Sequence, residues 1–577
     1  MAKLAKFLQG VAGAAGGAGL NVEEVFSTYL YEGNSGTLTV NNGIDLDGEG
    51  GLVWIKNRDN AQNHMLVDTE RGGTKYLNSN VTTQEQTFYA GPPDERFSFS
   101  STGFSSTAAD FKWNNSQYDY ASWTFRKAPK FFDVVTYTGN GSNRSIAHNL
   151  DCEVGMLIVK CTSNADDWWV YHRGANTSNA GTAAGKLNET SGFDDPSDRW
   201  NSTAPTSTHF YLESGSEVNG SGRTYVAYLF AHNDGDGGFG PDGDADIIKC
   251  GSFTTDGSGN ATVDLGWEPQ WVLRKKSGGS GSWSLYDNMR GLGAGSGTGS
   301  LLLPNSSIAE ISPTSDTQIN STGMSFSTGE NNNTYIYIAI RRGPMAVPED
   351  ADDVFATYIP LSTDSNPTYT SGFPVDMQVG DFQYNDNSFK PIASRLTGTA
   401  YMRTNGTDAE TTQNFYKWDY MDGWRDNNRT TPHISWMWKR APNFFDVVAY
   451  TGNGTAGRTV SHNLGVAPEM IWVKRRSASA KWVVGSTAFP SGGNMVLNET
   501  GGIEAAGGTA RIYYAGWDSS NFGIGQDTDV NASGSDYIAY LFASLDGVSK
   551  VGSFTSDGTD MTIDCGFSSG ARFVLLK

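Results

Sequence analysis

The chain has 577 residues, 70 of them Gly, with 12% aromatic residues, 18% charged residues and a formal net charge of −21. This much Gly and Asn opposes helix interiors, and the aromatic content is too high for a disordered chain. The acidic balance excludes a general phosphate-binding surface, because nucleic-acid binders carry a basic stripe and basic residues cluster only briefly here, as at Lys474-Arg475-Arg476.

Residues 1–20 read as a short N-terminal anchoring or assembly segment. Their opening looks like a signal peptide, but the stretch that should be apolar is mostly Ala and Gly. No run in the chain approaches the apolar length of a membrane span.

From residue 21 onward the chain repeats itself. Phe131-Phe132-Asp133-Val134-Val135 returns as Phe444-Phe445-Asp446-Val447-Val448, and Lys249, Gly251, Ser252 and Phe253 return as Lys550, Gly552, Ser553 and Phe554. The period is about 310 residues, and a shorter unit of about 100 residues recurs inside it. Each unit closes on a strand of alternating aromatic and aliphatic residues, such as Tyr225-Val226-Ala227-Tyr228-Leu229-Phe230. Most units also hold an earlier apolar strand ending near a Lys, as at Lys56, Lys160 and Lys474.

Short strands separated by turn residues predict an all-β chain: a tandem array of antiparallel β-sandwich modules of jelly-roll or lectin-like type. The expected modules are 21–128, 129–240, 246–345, 350–441 (a copy of the first) and 442–547 (a copy of the second). Residues 548–577 match the start of the third. The expectation is that a longer polypeptide or another chain completes this sixth module, since a half sandwich leaves bare strand edges.

Little in the chain points to chemistry. His148 and His462 occupy equivalent His-Asn-Leu segments, but Val263 and Ile563 replace them in other copies, so a strand-end or turn role is expected. His172 and His232 have no recurring partner. No Gly-x-Ser-x-Gly, Walker, kinase or Cys-x-x-Cys pattern occurs, no catalytic residue is assigned, and an enzyme is not expected. The four cysteines form no disulfide framework, and Cys250 and Cys565 exchange with Val551 and Leu265 as buried thiols do. No cofactor is expected, except calcium at the acidic linker Asp234, Asp236, Asp242, Asp244 and Asp246, which offers hard oxygen ligands. Trp168 aligns with Trp283 and Trp482 and is expected in the module core. Trp169, Trp200 and Trp517 do not recur, which makes them the candidates for stacking on glycans.

Trp123-Thr124-Phe125-Arg126-Lys127-Ala128-Pro129 with Phe131-Phe132-Asp133-Val134-Val135, repeated at Trp436 to Val448, resembles the uncharacterised modules of tail-fibre and related virion proteins of marine and cyanobacterial phages. Gly43-Ile44-Asp45-Leu46 and Gly50-Gly51-Leu52-Val53-Trp54-Ile55-Lys56 add to the likeness, which covers the chain from about Asn21. The resemblance implies a structural tail-fibre protein of the virion. It would be assembled in the host cytoplasm as a homotrimer and joined through its N-terminus to tail adaptor or nozzle proteins, with host surface glycans as adhesion targets. Two rival expectations are a secreted bacterial adhesin and a polysaccharide depolymerase. The second would show a carboxylate pair lining a groove in one module but not in its copies.

Overall fold

The structure is a computed structural model that describes residues 19–577 except 89–96, 108–109, 176–180, 182, 194–198, 296–298, 315, 362–363, 365, 383–389, 428–432, 490–492 and 505–510. All but the last two residues of the expected anchoring segment lie outside the described residues. The chain is all-β, a tandem array of small antiparallel sheets paired in sandwich-like fashion. Each helix among the described residues longer than a 3₁₀ turn has four residues.

One plan is used five times. The first and last strands of a unit lie side by side, and two further strands follow beyond the last one. In the first unit the order is Phe26–Glu32, Asp119–Arg126, Gly51–Asn57, Met65–Asp68. In the second it is Phe132–Thr138, Thr224–Ala231, Val154–Cys161, Trp168–His172. The third gives Ile248–Thr254, Thr334–Arg341, Pro269–Lys276, Ser284–Asp287. The fourth gives Phe355–Tyr358, His433–Trp438, Met377–Phe382, Pro391–Ser394, and the fifth Phe445–Thr451, Asp536–Phe542, Met470–Arg475, Val483–Ser486. A smaller sheet, such as Arg144–Ala147 with His209–Leu212, covers one face.

The inner strands of the main sheets are buried on both faces. Gly51–Asn57 and Val154–Cys161 are buried at every position, so they read as continuous apolar runs instead of alternating with polar residues. One face packs on the module's own small sheet; in the first module Val53, Ile55, Met65 and Phe104 fill that space. The other face looks into a core shared by three modules, where Trp54, Trp123, Phe125, Tyr228, Phe230 and Trp271 meet. Phe125 lies 5.4 Å from Phe230 and 5.7 Å from Trp271, ring to ring.

The first three modules close into a ring. A residue ending the fourth strand of each main sheet bonds the last strand of the next module. Tyr228 Oη donates to Asp68 at 2.7 Å, His172 Nε2 meets the Tyr337 carbonyl at 3.0 Å, and Trp123 Nε1 donates to Asp287 at 3.0 Å. Backbone bonds repeat the cycle: Glu85 N–H to Thr162, Phe193 N–H to Ser277, and Glu310 N–H to Arg58. The fourth and fifth modules make the same junction through Glu410 N–H to Arg476. The two module groups are bolted together by Arg440, which is buried and donates to Glu268 at 2.8 and 3.0 Å and to Asp446 at 2.8 Å.

Trp168 lies in the core as expected, and the arrangement gives it a second role. It is buried, but its indole donates to the Asn78 and Val81 carbonyls of the first module at 3.0 and 3.1 Å. Trp283 reaches Lys186 of the second module and Trp482 reaches Arg403 of the fourth in the same way. These tryptophans are junction residues. The recurring Lys stands beside them: Lys160, Lys275 and Lys474 are wholly buried and donate to the Thr82, Thr190 and Thr407 carbonyls of the preceding module. Residues 548–577 form no strand, and Phe573 packs against Phe355, Trp436 and Trp438.

Candidate functional site

The glycan candidates read from the sequence are not brought together. Trp169 is 3% exposed and faces the Arg199 guanidinium at 4.1 Å, and Trp200 is 1% exposed with its indole on the Ala183 carbonyl. Neither ring face is open to a sugar, which corrects both assignments. Non-recurrence marked a local packing difference here: the fifth module has the same loop, with Arg511 bonded to Gly525 and Asp529 as Arg199 is to Glu213 and Glu217, but Ile512 stands where Trp200 does. Trp517 is half-buried against Tyr514.

The calcium expectation also meets a correction. Asp246 turns inward and accepts the N–H groups of Gly235 and Gly237, and Asp236 accepts that of Asp234. The carboxylates thus shape the linker turn themselves. Among the described residues no three acidic, His or Cys side chains gather as metal ligands. His148 and His462 each clamp a turn: Nδ1 accepts the Leu150 or Leu464 N–H, while Nε2 meets the Thr206 or Asp518 carbonyl. Cys152, Cys161 and Cys250 are buried free thiols and Cys565 is half-buried.

What the structure does assemble is a cleft of about 610 Å³ between the first and fourth modules. One wall is the edge strand Phe26–Glu32, whose period of two turns Ser27, Tyr29 and Tyr31 to the same side. Tyr31 stacks on Tyr120 at 5.2 Å and donates to the Trp113 carbonyl, which fixes its ring. The opposite wall is the loop Asp419-Tyr420-Met421-Asp422, which joins Tyr416–Lys417 to Gly423–Asp426. Asn41, Asn42 and Asn366 add amides.

Arg58 sits in the cleft directly after strand Gly51–Asn57 and is the pivot of the site. It binds Glu310 of the third module at 3.0 Å through both Nε and Nη2, and Asp419 of the fourth at 3.2 Å. Glu310 continues to Arg290 at 3.2 Å, and Arg290 to Asp287 at 2.7 Å. The two guanidinium groups hold the Glu310 carboxyl down at about 2 against the pull of burial. An ion chain therefore runs from the cleft to the ring core, where Asp287 receives Trp123.

The remaining carboxylates have no such partner. Glu32 and Asp119 are directly opposed at the end of their strand pair. Among the described residues neither they nor Asp422 is ion-paired. Burial first, then the charge of Asp59, pushes Asp119 up to about 6, with Glu32 and Asp419 adding to the rise and Arg58 opposing it. At the same strand-end position the second and third modules carry Thr138 opposite Thr224 and Thr254 opposite Thr334. That difference between copies is the signal a sequence reading could have used.

A family model described as Domain of unknown function (DUF7483) matches residues 22–344 and 385–577. The chain belongs to this family. No curated protein matches it. The DUF7483 match includes the first-module wall of the cleft and the Asp419 loop, but leaves out Asn366, Pro367, Gly372 and Pro374, which also line it.

Proposed function

We propose that the protein is a structural tail-fibre protein of a phage virion whose module array holds a glycan-binding cleft against the host surface. The likeness of its repeated segments to virion modules supports the first part. The observation that carries the second is the cleft between the first and fourth modules. Fixed tyrosine rings suit the apolar faces of sugars, and amides and carboxylates suit their hydroxyls. The ring gives these groups a rigid mount, and several copies on one particle add avidity to a weak site. The N-terminal segment is assigned to the tail attachment, with adaptor or nozzle proteins as partners and a homotrimer as the assembly.

Two measurements test this. A cryo-EM map of the particle should place the chain in the tail; finding it in the capsid, or on no particle, would defeat the fibre reading. A glycan array probed with the full chain should give hits that Tyr420→Ala weakens. An array without hits would remove the cleft from the proposal.

A second reading is favoured by one observation. Glu32 and Asp119 of the first module form a carboxylate pair at the cleft, where the second and third modules carry threonines and the fifth carries Thr451 and Asp536. Two carboxylates with one raised acid are what glycoside hydrolysis uses, so the rival is a polysaccharide depolymerase. Release of reducing sugar from host polysaccharide, abolished by Asp119→Asn, would establish it in place of simple adhesion.

A further inference from the structure

Resting on the glycan reading of the cleft, we infer that it selects saccharides bearing a free amine over neutral or acidic ones. The argument is one of unbalanced charge at a place already shaped for a sugar. Four carboxylates line the cleft, at Glu32, Asp119, Asp419 and Asp422, against two cations, Arg58 and Lys439. Arg58 is already held by Glu310 and Asp419, so its charge faces protein and not ligand. Glu32, Asp119 and Asp422 remain without an ion pair among the described residues, against Lys439 as the cation likewise unpaired there, so negative charge is in excess.

Groups of one sign confined in a half-enclosed cleft focus their field and draw the opposite charge. A uronate or sialate would meet that field with the wrong sign. A neutral sugar would leave it unanswered. An ammonium placed between the opposed Glu32 and Asp119 completes it, while the rest of the ring is left to the amides of the cleft and to Tyr420 on the opposite wall.

Asp119 also makes the selection depend on pH. It faces Glu32 across the strand pair, Asp59 and Arg58 from the loop after Gly51–Asn57, and Asp419 from the fourth module. Protonation as pH falls through about 6 removes one of the charges that hold the amine.

The test is calorimetric titration of the full chain with a glucosamine hexasaccharide and with its fully N-acetylated counterpart. At pH 7.5 the free-amine oligomer should bind about tenfold more tightly, the scale of one partly screened ion pair. That ratio should shrink at pH 5. Asp119→Asn and Glu32→Gln should bring the affinities of the two ligands together, with the melting temperature in place. Tyr420→Ala should weaken both. Equal binding of the two oligomers by the native chain would overturn the amine inference and leave the glycan reading standing. Binding of neither would overturn both.

Discussion

Glu310 is the carboxylate that joins the third module to the first, and removing it measures how far the ring is one cooperative body. It lies between Arg58 and Arg290, whose side chains are 11% and 0% exposed. Its carboxyl is held at about 2, against a reference value of 4.5. A shift of about two and a half units corresponds to about 3 kcal/mol of stability at neutral pH. Glu310→Ala also leaves two buried guanidinium groups with one partner fewer, which places the loss at roughly 3–5 kcal/mol. At about 2 °C per kcal/mol for a large cooperative unit, the melting temperature should drop by ~6–10 °C in scanning calorimetry at pH 7. The sign of the pH dependence follows from a folded value lying below the unfolded one. The contribution is whole above about pH 4.5 and disappears as pH falls through about 2, so wild type and variant should converge only in strong acid. A drop under about 2 °C at pH 7, or a gap that stays constant down to pH 2, would refute the reasoning.

Three other perturbations probe the junctions and the interior. Trp168→Phe removes the N–H that serves Asn78 and Val81 and should cost about 1–3 kcal/mol; Trp168→Ala should cost about 3–5, both read by denaturant titration. Burial pushes His172 down to about 3, so the unfolded chain takes up its proton first. Stability should therefore fall from about pH 6.5 toward 3 at roughly 1.4 kcal/mol per unit for this residue, and His172→Gln should flatten the slope. Of the four thiols, only Cys565 should react with an aromatic disulfide reagent at pH 8, because the other three are buried and burial pushes Cys152 up to about 12; all four should react after denaturation.

The fold was legible because its signals are local and repeated. Alternating runs such as Tyr225 to Phe230 and the turn residues between them define strands wherever they occur. What is not local was not legible. The strand-end lysines were visible as a pattern, but their cause, a carbonyl of the preceding module, lies about 70 to 90 residues away. Trp168 was placed in the core by its recurrence, yet the same recurrence is what a junction used three times would leave. Trp169 and Trp200 show the converse: a residue absent from the other copies is as easily the filler of a local loop as a ligand contact. Arg58 gave no signal at all, since its two partners come from other modules.

Repeat proteins ordinarily contact only their neighbours, so that stability is a sum over units and interfaces. Here the third module bonds the first through Asp287 and Trp123, and the ring closes. Reach is exchanged for rigidity, because no unit can hinge without breaking two junctions. The cleft then follows from the second level of duplication. Its walls are the first and fourth modules, the corresponding members of the two triplets, and Arg58 reaches Asp419 across groups held together by the ion pairs of Arg440 with Glu268 and Arg342 with Asp376 and by a shared apolar core. Neither triplet alone contains the site. Duplication of the triplet therefore created a cleft that neither copy contains alone, and its lining includes residues the repeat does not keep: the fifth module carries Thr451 at the position of Glu32, although it retains an acid, Asp536, at that of Asp119.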